Sequence, residues 1–466
     1  MSVNSPPLGA TRSGAFELRA PALDARTPTT RTRLGLLGLA GMLVTGLLVA
    51  ISAASTDNLL PVPVRGGVGL VGLAGSFGST GINLGGAGLA VVMAAMFASY
   101  VLTVGAAHRL SPLLVLGVIA ALHALILLAP PLFSTDVFSY QFYGRIGAMQ
   151  GWNPYLAGPT ALAGDPLYWY IGQKWISTPT VYGPVFTALS YLLAPLTIPA
   201  DVFAYKAIAA MSSLGVVALV WNAARLRGVD PARAAALVGL NPLIVVYGVG
   251  GGHNDLLMLA PLLAGVVLLL QRRDRLAGGS MMMATAVKLT AGLLLPFALA
   301  GARGSLYRSR RRDLLIGAGV AAAAVIAFAF AMFGTGPLHL PATIENVQGK
   351  GNWQSFPGFV GTRLGLGTVG HPAALILGAA FAAVLGVLIW RVWRGELDWI
   401  AGAGWATAAL LISAGSLLPW YVAWLMPLAA LGRDGRLWRV SIVLTCIIGC
   451  FQLLAYIPHG NSVLGL

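Results

Sequence analysis

Two carboxylates stand where an apolar run gives way to polar chain, and their surroundings suit chemistry. Asp136 follows Pro130-Pro131-Leu132-Phe133-Ser134-Thr135, and Asp255 closes Gly250-Gly251-Gly252-His253-Asn254-Asp255. The chain has only 14 acidic residues, and an acid kept beside apolar surface is costly and tends to be functional. A carboxylate desolvated at an interface holds its proton more tightly and suits a general base. Ser-Thr-Asp ahead of Val137-Phe138-Ser139-Tyr140 equally suits a helix cap. Three glycines before His253 allow a sharp turn or a close approach of backbone to a ligand. His253, Asn254 and Asp255 then suit sugar hydroxyls or a phosphate, with Asp255 as a plain helix cap the alternative. One His and one Asp fall short of the four ligands that a metal site needs. Lys288 is the only charge in its apolar run, so it snorkels, pairs with an acid such as Asp255, or meets an anionic ligand. Arg145 is a second candidate cation, in a stretch where Arg also serves as an interface anchor.

The elements that position these residues are membrane helices. The 466 residues are 57% hydrophobic and 9% charged, whereas soluble domains carry about a quarter charged residues. That balance excludes an aqueous enzyme, a disordered chain and a coiled coil. Apolar residues come in continuous runs, which also excludes the alternation of a transmembrane β-barrel. The net charge of +15 comes from short Arg clusters between apolar runs, a topology signal and not a nucleic-acid footprint. Arg31 and Arg33, Arg272 to Arg275, Arg303 to Arg312, Arg391 to Arg394 and Arg433 to Arg439 each mark a cytoplasmic face. Cys446 and Cys450, four apart in one run, pack as small hydrophobes on one helix face and imply no disulfide.

The expected organisation is an all-α polytopic bundle of about 11–14 transmembrane helices. Residues 1–33 form a disordered cytoplasmic tail, 34–457 the membrane module and 458–466 a short outer tail. Three spans precede an elaborated outer loop at 132–182, where a short helix with aromatics at 138, 142 and 143 lies in the interface. Of the runs 184–199 and 203–222, one does not cross, because two crossings would place Arg225, Arg227 and Arg233 outside. The run 278–302 lies between two basic clusters, so it enters and returns as two half-helices with Lys288 near the apex, an arrangement found where broken helices line a protein cavity. A second outer loop, 334–372, carries Glu345, Asn346, Gln348, Lys350, Asn352, Trp353 and Gln354. No internal repeat is evident, which speaks against a repeat-built transporter.

The order of Ser134-Thr135-Asp136-Val137-Phe138-Ser139-Tyr140, Gly151-Trp152-Asn153-Pro154-Tyr155, Tyr182-Gly183-Pro184, Asn241-Pro242-Leu243, Gly251-Gly252-His253-Asn254-Asp255, Ala286-Val287-Lys288 and Pro419-Trp420-Tyr421 resembles the GT-C glycosyltransferases. More narrowly, it resembles the actinobacterial polyprenyl-phosphomannose-dependent α-1,6-mannosyltransferases of lipomannan biosynthesis, over about 34–457. That resemblance implies a GT-C-like bundle whose first large outer loop carries the catalytic acid, with Asp136 matching it. It implies a polyprenyl-phosphate-mannose donor, a mannan or phosphatidylinositol-mannoside acceptor, inversion at the anomeric carbon, and no cofactor or metal. The site would face outward from the cytoplasmic membrane. An inverting transfer needs one base, and the leaving phosphate needs neighbouring cations, a role for Lys288, His253 or Arg145. Asp255, Asn254, Tyr140, Tyr182, Trp353, Trp420 and Tyr421 complete the substrate-binding candidates. The competing readings are a flippase for a lipid-linked saccharide, which the outward placement of the acids disfavours, a GT-C enzyme using another polyprenyl phosphosugar, and a non-catalytic membrane scaffold.

Overall fold

The computed structural model describes residues 30–55, 59–60, 81–302, 305–348 and 350–454. Both expected tails therefore lie outside the described residues, except for residues 30–33, which already belong to a helix. Every regular element among the described residues is helical, as 57% apolar composition in continuous runs demands: in hydrocarbon the backbone must satisfy its own hydrogen bonds within each segment.

The chain begins with α1 (Thr30–Ala53), α2 (Gly85–Ala106) and α3 (Pro112–Leu128). The next segment, which the sequence assigns to an elaborated loop, holds α4 (Asp136–Ala148) and three 3-10 turns up to Trp175. Then follow α5 (Pro184–Leu193), α6 (Ile198–Arg227), α7 (Pro231–Gly239), a π-helical turn at Leu243–Val249 and α8 (Asn254–Leu270). The remaining helices are α9 (Asp274–Val287), α10 (Leu294–Gly301), α11 (Ser305–Phe333), α12 (Leu340–Gln348), α13 (Phe356–Arg363), α14 (His371–Arg394), α15 (Trp399–Ser413), α16 (Val422–Leu431) and α17 (Gly435–Leu454). Proline opens α3, α5, α7 and α14, where its missing N–H costs nothing. The left-handed Gly228 and Gly395 end α6 and α14, each with two arginines in the last turn, the combination that closes a helix and neutralises its C-terminal dipole.

Six described helices are long and apolar enough to cross a bilayer, or seven if the bent pair of α7 and the π-helical turn counts as one span, and six more apolar helices are only 10–17 residues long. The chain is thus a multi-pass membrane protein. The sequence count of 11–14 also takes the shorter apolar runs as crossings, beyond the six or seven that length alone supports. Between runs 184–199 and 203–222 the difference is plain. At 1.5 Å per residue, the 10 residues of α5 reach about 15 Å, half of a bilayer core of about 30 Å. The 30 residues of α6 reach about 45 Å.

The hairpin expected around Lys288 is present. Helix α9 ends at Val287, Lys288 is extended (φ −151°), and a 3-10 turn (Leu289–Leu293) leads into α10. Two adjacent arginines fix both feet of this hairpin at one level. Arg310 donates to Asp274, at the start of α9, at 2.8 Å, while Arg311 donates to the Leu299 carbonyl, near the end of α10, at 3.0 Å. The basic loops gather there: Arg227 bonds the Leu431 carbonyl at 2.7 Å and pairs with Asp398 at 3.1 Å, and Arg233 lies 4.3 Å from the Trp438 ring. One end of the bundle is therefore basic. The cavity lies at the other, reached by the tip of the Lys288 hairpin.

Candidate active site

The loop before α4, the glycine turn before α8, the tip of the α9–α10 hairpin and the 3-10 turn Pro419–Tyr421 meet around a cavity of about 770 Å³. Backbone bonds fix this meeting before any side chain acts. Leu132 N–H donates to the Gly250 carbonyl at 3.0 Å, and Gly183 N–H to the Val287 carbonyl at 3.0 Å. A Cβ on Gly183 would run into the Ala286 carbonyl, so the close approach of Tyr182-Gly183 to the hairpin tip requires glycine. Gly252 is left-handed (φ 66°) and lets the chain fold from the π-helical turn into α8. Buried Lys206 donates to the carbonyls of Ala129 and Pro130, clamping the entry to the acidic loop.

Asp136 is the first residue of α4. Its N–H donates to Ser134 Oγ at 3.1 Å, and its carboxylate, 22% exposed, borders the cavity. Oδ2 lies 3.5 Å from His253 Nδ1; one turn along α4, Tyr140 OH lies 3.3 Å from the same nitrogen. The His253 ring is fully buried and stacks on Trp420 at 3.4 Å. His253 thus stands behind the acid as a fixed neighbour. Burial pushes the Asp136 carboxyl from its ordinary 3.8 up to about 6; the Lys288 charge opposes the shift and Asp255 adds to it.

Asp255 is 1% exposed, and its Oδ1 accepts from Lys288 Nζ and from Trp424 Nε1, both at 2.7 Å. Of the three fates open to Lys288 on sequence grounds, pairing with Asp255 is the one observed. The lysine also borders the cavity, with Nζ 5.0 Å from the Tyr421 ring centre and 5.4 Å from that of Trp424. The buried carboxylate and the two aromatic rings hold the lysine side chain at the cavity edge. Tyr182, Trp353, Trp420 and Tyr421 border the cavity too.

Three sequence candidates stand elsewhere. Arg145 is held by Asp165 at 3.0 and 3.1 Å, away from the residues that border the cavity. Tyr140 is buried, edge-on to Tyr182, Phe186 and Tyr205, and reaches the site through His253. Asn254 is buried, with neither side-chain amide atom hydrogen-bonded. Neither acid caps its helix: the position before α4 is Thr135, that before α8 is His253, and neither helix has a side-chain cap bond.

Several residues of the site escaped the sequence reading. Trp424 lies one helical turn beyond Tyr421, a spacing that places both on one face, and their rings stack at 4.2 Å. Gln452 is a lone amide in the apolar run 438–457, a signal as valid as that of Lys288. Asn83 and Thr178 also border the cavity and carry no local mark; Tyr143 and Trp175, marked in the sequence only as loop aromatics, border it too. Among the described residues no group of three His, Cys, Asp or Glu converges on a point. Cys446 and Cys450 are free thiols on α17.

Comparison with known proteins places this geometry in a family. Residues 32–303 match the model of the alpha-(1->6)-mannopyranosyltransferase N-terminal domain, and residues 354–465 match the MptB C-terminal domain. The chain is 31% identical over 348 residues to alpha-(1->6)-mannopyranosyltransferase B of Corynebacterium glutamicum, covering 66% of this chain and 56% of that protein. It is 30% identical over 329 residues to alpha-(1->6)-mannopyranosyltransferase A of Mycobacterium tuberculosis, covering 66% of this chain and 62% of that protein. The matched regions thus span less than two thirds of either relative. No solved structure matches. With both family models fitting in order, and the first spanning the acidic loop, the glycine turn and the lysine hairpin, the chain belongs to the alpha-(1->6)-mannopyranosyltransferase family.

Proposed function

We propose that the protein is a membrane glycosyltransferase that moves a mannosyl residue from polyprenyl phosphate mannose to a growing α-1,6-mannan, a precursor of lipomannan, with inversion at the anomeric carbon. A single observation carries this reading: one carboxylate, that of Asp136, borders a cavity that Lys288 also borders. In the proposed step the acceptor 6-hydroxyl oxygen attacks the anomeric carbon. The bond from that carbon to the phosphate oxygen breaks with its electron pair going to the phosphate, and the hydroxyl proton passes to Asp136. Lys288 stabilises the phosphate as it leaves. Inversion is favoured because the second acid, Asp255, is 1% exposed and bonded to Lys288 and Trp424, which leaves one carboxylate, among the described residues, to act on the cavity side. An outward-facing site at the cytoplasmic membrane is supported by the Arg-rich loops, which gather at the opposite end of the bundle and which the positive-inside rule assigns to the cytoplasm.

The test is transfer by purified protein from polyprenyl phosphate mannose to a phosphatidylinositol mannoside or α-1,6-mannoside. Replacing Asp136 by Asn is expected to slow turnover by at least about 10²-fold, the usual contribution of a general base, with the thermal transition retained. Wild-type turnover in that variant would remove Asp136 from the role.

A further inference from the structure

The cavity border is chemically uneven. The only charged residues bordering it, among those described, are Asp136 and Lys288. Lys288 sits at the tip of the α9–α10 hairpin, and α9 packs against α5, α8 and α11. Other parts of the border come from α17, which packs against α2, α15, α16 and the 3-10 turn Pro419–Tyr421, and from the chain before α13. Those parts contribute Gln452, Trp353 and Gln354, with Asn83 at the start of α2. They offer amides and an indole, and no charge.

The two glutamines are built into one unit. Gln354 Nε2 donates to Gln452 Oε1 at 3.1 Å, which fixes both amides and ties α17 to the second loop. The bond consumes one donor and one acceptor. A carbonyl oxygen on Gln354 and a second amide N–H on the pair remain for a ligand. A sugar hydroxyl both donates and accepts, so a fixed oxygen beside a fixed N–H is a matched reader for it, and the Trp353 ring supplies an apolar surface for the C–H face of a pyranose. A phosphate has no donor to offer the oxygen, and among the described residues that border the cavity the one cation is Lys288. Charge thus sorts the two substrates: the anionic carrier to the lysine, a neutral polyhydroxylated chain to the amides.

We propose that Trp353, Gln354 and Gln452 form the binding subsite for the acceptor saccharide, on the same cavity border as the phosphate site marked by Lys288. This rests on the glycosyl-transfer reading above and adds to it where the acceptor lies and what recognises it.

The experiment uses the purified full chain, polyprenyl phosphate mannose and a synthetic octyl α-1,6-mannobioside. Gln354→Leu and Gln452→Leu are each expected to raise the acceptor KM about tenfold, equivalent to about 1.4 kcal/mol, while the donor KM stays within about twofold. Gln452→Glu preserves side-chain shape and is expected to raise the acceptor KM as well, which keeps the test alive should the leucine variants fail to fold. Titration of the mannobioside without donor reads the subsite directly, and Trp353→Ala should abolish that binding. An unchanged acceptor KM in all the glutamine variants, or a raised donor KM with the acceptor KM unmoved, would overturn the assignment. Wild-type protein that binds the mannobioside but transfers no mannose would instead sink the glycosyl-transfer reading and leave the subsite standing.

Discussion

Both ends of the bundle carry carboxylates paired with cations, and the pairs differ in how far water reaches them: at the basic end the pair of Arg310 and Asp274 is largely buried while others are solvated. At the basic end Arg275 pairs with Asp313 at 2.8 Å with side chains 67% and 36% exposed, and Arg391 and Arg394 share Glu396 at 3.6 and 3.2 Å. Solvated pairs of this kind contribute about 0–1 kcal/mol each; their service is to set orientation and to tie loops together. At the cavity end Lys288 and Asp255 meet at 2.7 Å with exposures of 14% and 1%. Removing one partner of such a pair leaves a charge with nowhere to go, at a cost of about 3–5 kcal/mol. The contrast teaches that an ion pair in this protein carries energetic weight where the fold takes it out of water, and bears on the cavity only where, as at Lys288, one partner also borders it.

The strongest way to break that comparison is at Lys288. Lys288→Met leaves Asp255 buried with Trp424 as its remaining hydrogen-bond donor. It should cost about 3–5 kcal/mol in unfolding free energy and slow transfer by about 10²-fold or more through loss of phosphate stabilisation. Adding Asp255→Leu should restore stability, because the orphan charge is gone, but not transfer. A double variant that recovers transfer would mean that Lys288 serves only packing.

The next effect is on pH. With the Asp136 carboxyl raised to about 6, the base is protonated below that value, so kcat/KM should fall about tenfold per pH unit on the acid side and level off above it. Stability should move the other way. The folded chain binds the proton more tightly than the unfolded one, so the fold loses stability as pH rises from about 4 through about 6. Asp136→Asn, inactive, should therefore unfold at a higher temperature than wild type above pH 6 and not below pH 4. A flat rate profile between pH 5 and 7, or no change in the melting difference across that window, would contradict a desolvated acid.

The smallest effect belongs to the basic end. Arg275→Ala should change stability by no more than about 1 kcal/mol and leave transfer within about twofold. A large loss of transfer in that variant would erase the distinction between the two ends.

Much of this was legible in one sequence because a bilayer allows few answers. The break at Lys288 followed from a single charge in an apolar run flanked by basic clusters, and the non-crossing member of the α5–α6 pair followed from three misplaced arginines. Asp136 and Asp255 stood out because acids are scarce. The partnerships were harder. Nothing within its own segment says that Trp424 shares Asp255 with Lys288, that Arg145 is spent on Asp165 and stays away from the cavity, or that Tyr140 reaches the acid through His253. Gln354 and Gln452 lie 98 positions apart, and only the packing of α17 beside the second loop makes them one recognition unit.

Taken by itself, the sequence determined the class of fold, the grouping of the basic loops and which acids stand out, since hydrophobic length, charge asymmetry and the rarity of a polar group in an apolar run are local properties. Tertiary structure alone decided which cation meets which carboxylate, which aromatics wall the cavity and which amides join them there. Those facts depend on distances between segments far apart in the chain, and a hydrogen bond or ion pair forms only where the packed helices bring its two halves within about 3 Å.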